Sequence, residues 1–376
     1  MRRALLALLF FAMALSGEGA GAPSPAAFSR VPVRGELVTY FTFALWAPGE
    51  QLLLVNHPRA GQLVPLQRDG QLQKPLQPLT WEEGNPMFAN AMGYDEKGPF
   101  VLYRDAFFHT VRELRFDAQG RIVSNESWER RFDGSQVQLA CPRHTPVRFA
   151  GEVFCFATVR ESETKVRQGL VRYPETPGAR LTFLREHQGN SVERTMAWDF
   201  PLLAATSQGV FLLDFSTEPP SVLHLAPASR RLASFPPGFQ RPPEIPPGLG
   251  GPDAAEAFQE GLEATPVPLG LFSAAGKLLI LTRTPLGKDR ARWELHRLDP
   301  AQDRLEGVLE LPTTAPKVLV VPGSKRWAFL ELGPAGPPVG ARKLLGLLEA
   351  PAATLAAPWP AAPGAGSKQQ GAAKKP

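Results

Sequence analysis

The chain has 376 residues, 43% of them hydrophobic and 20% charged, which is enough apolar material for a large core and excludes a wholly disordered polyelectrolyte. Forty prolines and 34 glycines exclude a mainly helical fold, because both residue types break helix interiors and populate turns. The net charge of +5 does not mark a nucleic-acid binder: Arg2 and Arg3 stand at the N-terminus and Lys368, Lys374 and Lys375 at the C-terminus, so the body between them is close to neutral and has no basic stripe.

Arg2 and Arg3 precede an unbroken apolar run from Ala4 to Leu15, and the small residues Ser16, Gly17, Gly19, Ala20 and Ala22 follow. This is the pattern of a secretory signal peptide, expected with its leader over residues 1–22. The run is shorter than the roughly 20 residues a bilayer span needs, so no transmembrane span is expected after signal removal. The protein is expected to be exported, either periplasmic or secreted.

The next feature is an internal repeat with a period of about 50 residues. Six segments share one plan: an apolar strand, a tight glycine-containing turn, a second strongly apolar strand, a variable loop, a third strand, and often a turn with Asp, Pro or Gly and a fourth strand. The turn and second strand recur at Ala47–Val55, Asp95–Tyr103, Phe149–Ala157, Thr206–Asp214, Ser273–Leu281 and Val321–Phe329. The second half of each unit is also visible. Asp69-Gly70 lies within Leu66–Leu72, Asp117 and Gly120 within Leu114–Val123, Pro174 and Gly178 within Leu170–Leu181, Ala226-Pro227 within Val222–Leu232, and Asp299-Pro300 within Leu295–Leu305. Asp suits such turns because it bonds its own backbone, and Gly because it takes positive φ at little cost.

Units of this size, repeated radially and packed face to face, are the β-propeller solution to exposed sheet edges. The expected fold is therefore all-β, a six-bladed β-propeller of four-stranded blades over residues 34–349. The sixth unit has only three strand candidates, Lys317–Val321, Trp327–Leu332 and Ala341–Leu348, and the stretch Arg30–Glu36 is expected to close the ring by pairing with them. A short helical, proline-rich insertion at 235–268, in or after the fourth blade, breaks the period. Within it Asp253 and Glu256 have capping-box spacing, and Ala254, Ala257, Phe258 and Leu262 approximate one helix face. Residues 350–376 are mostly Ala, Pro, Gly and Lys and read as a flexible tail.

These repeats resemble six-bladed propellers of the NHL and TolB-like type, common among exported bacterial proteins. The resemblance rests on the six glycine-turn strands and on stretches such as Leu114–Val123 and Trp293–Pro300. It is architectural: it implies strands and turns, not an activity.

Three constellations bear on chemistry. The segment Trp81–Pro86 carries Glu82 and Glu83 and is similar to a glutamate-bearing strand of the metal-dependent lactonase propellers. That similarity implies an alternative function as a metal-dependent hydrolase or lyase using a divalent cation such as Ca or Mg, with Glu83, Asn190 and Asp199 as ligands by position. The six histidines, His57, His109, His144, His187, His224 and His296, fall at different offsets within their units and do not define a metal ring. The loops after the second strands and between blades share one face, which is rich in Arg with aromatic neighbours. There Arg104, His109, Arg160, Arg283, Arg292 and Trp293 are the candidate binding residues for a protein or a small acidic ligand. The preferred reading is an exported, non-catalytic binding or scaffold propeller that needs no cofactor. Cys141 and Cys155 could pair in an oxidising compartment. A hairpin turn at Phe149–Glu152, however, would set Cys155 opposite a residue near Pro146.

Overall fold

The computed structural model describes residues 28–359 apart from 48–50, 58–61, 75–87, 96–97, 105–110, 118–120, 128–130, 133–136, 163–164, 177–179, 188–191, 246–250, 337–340 and 358. The chain forms a mainly-β, six-bladed propeller with blades of three to four antiparallel strands and a few short helices. It opens with β1 (Ser29–Pro32). Blade 1 follows as β2 (Val38–Ala47), β3 (Gln51–His57) and β4 (Gln62–Leu66). Blade 2 comprises β5 (Phe88–Asp95), β6 (Gly98–Arg104), β7 (Val111–Phe116) and β8 (Ile122–Ser127). In blade 3 the two-residue β9 (Arg131–Phe132) precedes β10 (Val137–Phe149), β11 (Glu152–Arg160), β12 (Val166–Pro174) and β13 (Thr182–Glu186).

A helix, α1 (Val192–Asp199), leads into blade 4, formed by β14 (Leu203–Thr206), β15 (Gly209–Asp214), β16 (Ser221–Ala226) and β17 (Arg230–Arg231). The insertion then folds as α2 (Gly251–Ala264). Blade 5 is β18 (Val267–Ala274), β19 (Lys277–Pro285), β20 (Ala291–Asp299) and β21 (Arg304–Glu310). Blade 6 is β22 (Lys317–Val321), β23 (Arg326–Gly336) and β24 (Ala341–Pro351), and the short α3 (Ala352–Ala356) ends the described fold. Among the described residues no helix is long and apolar enough to cross a membrane.

The second strand of each blade reads as a continuous apolar run because its two faces are both covered by neighbouring blades. Leu52, Leu53 and Leu54 of β3, Phe211, Leu212 and Leu213 of β15, and Leu278, Leu279 and Ile280 of β19 are all essentially inaccessible. Outer strands lie at the rim and alternate or are exposed, as in β8, β13 and β17. The expected turn chemistry is present. Asp69 accepts the Gln71 N–H at 3.0 Å, and Asp299 accepts the N–H groups of Ala301 and Gln302 at 2.9 and 3.3 Å.

The ring closes through the N-terminus. β1 pairs antiparallel with β24, from Ser29 opposite Glu349 to Pro32 opposite Gly346, and supplies the fourth strand of blade 6. The chain then crosses to blade 1, where the Arg34 N–H donates to the Gly70 carbonyl at 2.7 Å and the Leu72 N–H to the Arg34 carbonyl at 3.2 Å. Gly70 takes a φ of +83°, and a Cβ there would collide with the Pro32 carbonyl, so this crossing requires glycine. The fourth position of blade 1 is reduced to isolated bridges at Gln71 and Leu72.

The flexible tail expected from residue 350 does not begin there. β24 continues to Pro351, α3 buries Leu355 completely, and Trp359 is also buried. Arg297 of blade 5 donates to the carbonyls of Ala356 and Ala357 at 3.0 and 2.5 Å. Two large apolar side chains among many small ones are enough to dock this segment; the remainder of the expected tail lies outside the described residues.

A candidate binding face

In an antiparallel blade the second strand ends on the same face on which the blade-to-blade connections lie. Arg104 is the last residue of β6, Arg160 the last of β11, and Arg283 stands two residues before the end of β19. The three positions therefore share the face carrying the long loops. The side chains of Arg104 and Arg160, and the whole of His109, lie outside the described residues.

Arg283 is almost fully buried beneath the insertion. Its Nη1 donates to the carbonyls of Leu262 and Glu263 at 2.9 and 3.0 Å, and its Nε to the Pro316 carbonyl at 3.2 Å. It thus caps the C-terminal turn of α2, where carbonyls lack intrahelical partners and a cation is favoured. Burial pulls its pKa down; the Glu263 carboxylate opposes that shift and the positive charge of Arg342 adds to it. The group stays protonated all the same.

Arg342, near the start of β24, is 3% exposed. Its Nη1 donates to the Gly333 carbonyl at 2.9 Å and its Nη2 to Glu263 Oε1 at 2.6 Å. Gln259, one turn earlier on α2, donates to the same oxygen at 2.9 Å. Burial alone would raise the Glu263 pKa, yet the hydrogen bonds from Arg342 and Gln259 and the charges of both arginines hold it below the usual carboxylate range. The cluster sets two buried guanidiniums against one carboxylate and joins blades 5 and 6 to the insertion. Its helix was legible from the capping-box spacing and apolar face of 253–264. Arg342 was missed; the only trace in the sequence is a charged pair, Arg342-Lys343, opening an otherwise apolar strand.

The other expected binding residues separate. Trp293 was expected on the binding face, and the structure corrects this: it is fully buried, paired across from Arg283 in the sheet, and its indole N–H donates to the Ala315 carbonyl at 2.7 Å. It is a core residue because β20 lies between β19 and β21, and its inward positions have no route to solvent. Arg292, next to it on the opposite face of the strand, is exposed and lies 3.5 Å from Glu294.

Glu83 and Asn190, proposed as metal ligands by position, lie outside the described residues, as does the side chain of Asp199 at the end of α1. Among the described residues no group of three or more His, Cys, Asp or Glu is arranged to hold a metal ion. The described histidines are dispersed. His187 Nε2 lies 2.9 Å from Glu193, His224 stacks on Phe211 with ring centroids 4.5 Å apart, and His296 Nε2 lies 3.1 Å from the Thr282 hydroxyl.

The cysteines are held apart by strand register. Cys141 is opposite Thr158, whereas Val147 is opposite Phe154, so Cys155 faces the bulge between Arg143 and Val147. Three residues along a strand are about 10 Å, beyond the roughly 7 Å between Cα atoms that a disulfide tolerates. The hairpin reading of 149–152 anticipates this register, and Cys155 is fully buried.

A second buried network joins blades 3 and 4. Asp214, completely buried at the end of β15, accepts from Arg185 Nη1 and Arg231 Nη2, both at 3.0 Å, and from the Ser216 N–H and hydroxyl at 3.0 and 2.8 Å. Arg185 Nη1 also donates to Glu193 of α1 at 2.8 Å.

No protein-family model matches the chain, and no curated protein matches its sequence. Solved propellers resemble it in fold. The subtype N11 neuraminidase-like protein of A/flat-faced bat/Peru/033/2010 (H18N11) is 11% identical with a TM-score of 0.41, covering 89% of this chain and 92% of that one. The periplasmic gluconolactonase of Pseudomonas aeruginosa is 15% identical with a TM-score of 0.35, covering 81% and 85%. The calcium-binding protein regucalcin from Agrobacterium tumefaciens is 9% identical with a TM-score of 0.35, covering 84% and 95%. At these identities the likeness concerns architecture, and architecture does not carry an activity.

Proposed function

We propose that this chain is an exported, non-catalytic binding or scaffold propeller whose loop-bearing face takes an acidic, carboxylate-bearing partner. The observation that carries the reading is an insertion helix, not required by the propeller fold, that the buried Arg283–Arg342–Glu263 cluster fixes over the face on which the second strands of the blades end. Arginine is enriched at the energetic centres of interfaces. β6 and β11 also end on this face, at Arg104 and Arg160.

The insertion can be removed without stretching the chain, because the Gln240 N–H donates to the Pro266 carbonyl at 2.9 Å and the two ends of the excursion are adjacent. The test is binding of a fluorescent deca-glutamate peptide to the full chain and to a variant with 241–265 replaced by a short Gly-Ser linker. Both proteins are first shown to melt cooperatively. The reading expects salt-sensitive binding by the full chain and at least a tenfold loss in the excised variant. Equal affinities, or no binding by the full chain at low salt, overturn it. Export is tested separately, by whether a reporter carrying residues 1–27 is processed and leaves the cytoplasm.

A further inference from the structure

We infer that the cleft between blades 5 and 6 is a second binding site, for a small cationic ligand: an amine, amidinium or guanidinium carried on a compact apolar body. The cleft encloses about 760 Å³ and lies where β1 completes blade 6, between the connection from β21 to β22 on one side and β23 and β24 on the other. Pockets for small ligands fall in this size range and combine apolar walls with a few placed polar groups. Here Leu311, Pro312 and Leu345 supply apolar wall, and Leu345 is 49% exposed, a large aliphatic side chain facing solvent at the rim.

The polar group that selects the ligand is Glu331 of β23. Its side chain is only 7% exposed, yet it lines the cleft. Arg30 reaches it from the N-terminal strand, and one nitrogen, Nη2, donates both to Glu331 Oε1 at 2.7 Å and to the Pro312 carbonyl at 2.8 Å. Arg30 itself is more than half exposed. The second oxygen, Oε2, receives no hydrogen bond among the described residues and lies over Gly346, where an added Cβ would come within 2.5 Å of it. An uncovered carboxylate oxygen on an otherwise nearly buried side chain is a directed acceptor, and an N–H cation is the partner that suits it best. Glycine at 346 leaves that oxygen uncovered. Of the charged residues lining the cleft, Asp289, Glu310 and Glu331 outnumber Arg30 and Arg290, so the site as a whole favours a cation.

This site meets the arginine cluster under α2 only at Pro316 and shares none of its charged groups, so either proposal can fail alone. The experiment titrates the full chain with benzamidine, and with benzoate and benzamide as shape-matched anionic and neutral probes, by calorimetry and ligand-observed NMR. Benzamidine is expected to bind, and benzoate and benzamide at least tenfold more weakly. Glu331→Gln is expected to weaken benzamidine at least tenfold. Gly346→Ala, which crowds the same oxygen without changing charge, is expected to weaken it similarly. Arg30→Ala, which leaves Glu331 without its internal cation, is expected to tighten it. Thermal melts report whether each variant folds, and Gly346→Ala decides the matter if Glu331→Gln does not. Unchanged affinity in whichever of those two variants folds, benzoate binding as tightly as benzamidine, or no benzamidine binding to the wild type and Arg30→Ala at millimolar concentration overturns the inference.

Discussion

A single nitrogen of Arg185, Nη1, donates to two carboxylates at once, to Glu193 at 2.8 Å and to Asp214 at 3.0 Å, and so ties the outer strand of blade 3 to α1 and to the second strand of blade 4. Adjacent blades pack largely through apolar faces, which resist separation but do not fix the angle between sheets. A directed charge pair does fix it.

Burial alone would raise the Asp214 pKa, but the hydrogen bonds from Ser216 and Arg185, together with the Arg185 charge, hold it below the usual carboxylate range. A folded pKa depressed in this way stabilises the fold fully above the unfolded value of about 3.9, and the stabilisation is lost as pH falls through the folded value. Asp214→Asn should therefore cost about 2 kcal/mol at neutral pH, where it removes the charge of a buried carboxylate whose arginine partners are partly exposed. It should also flatten the loss of stability below pH 4. Urea denaturation of both proteins between pH 3 and pH 7 checks this, and an unchanged acid limb in the variant would rule out the role given to Asp214.

Deleting residues 28–34 should unlatch the ring. The deletion exposes the edge of β24, removes the Arg30–Glu331 ion pair and frees Gly70 and Leu72 of blade 1. Unpaired strand edges invite association between molecules. The melting temperature is expected to fall by at least about 5 °C, and light scattering to rise on heating. Calorimetry showing the full-length midpoint would mean that blades 6 and 1 hold together without the N-terminal strand.

Leu355→Ala should destabilise the fold by about 2–4 kcal/mol and Trp359→Ala by about 3 kcal/mol, as for other large-to-small changes in a core. Leu286 is 48% exposed and serves as a control; its change to Ala should stay within about 0.5 kcal/mol. Chemical denaturation distinguishes a docked C-terminal segment, which predicts this contrast, from a loose one, which predicts three small effects.

Alkylation in denaturant without reductant should modify both Cys141 and Cys155, since the strand register keeps them apart. Under native conditions Cys155 should react slowly, because it is fully buried. A Cys141–Cys155 cross-linked peptide in non-reducing mass spectrometry would contradict the register.

The repeated turn-and-strand element was legible because its causes are local. Glycine or a small residue at the turn, and apolar side chains on both faces of the next strand, identify the second strand of all six blades. The beginning of α2 was nearly legible too, at Gly251 against an expected Asp253. α1 was not anticipated, although Val192, Met196 and Ala197, with Phe200 just beyond its end, form a buried side. Four residues at that spacing are a weak signal in a chain otherwise dominated by strands. The docking of Leu355 and Trp359 was missed for a related reason, since composition describes a segment's average and two anchors are enough when a groove awaits them.

From the sequence alone came the number of blades, the order of their strands, the place of the insertion and the use of the N-terminal stretch to complete blade 6, although the pairing runs over Ser29–Pro32 and Arg34 turns to blade 1 instead. All of these follow from turn chemistry and hydrophobic period over fewer than about ten residues at a time. Tertiary structure alone decided that Arg342 meets Glu263 across 79 residues, that Arg30 meets Glu331 across 301, and that Trp293 turns inward while Arg292 faces solvent. A charged side chain carries no local mark of its partner. Its partner is set by how neighbouring sheets stack, and that arrangement exists only once the ring has closed.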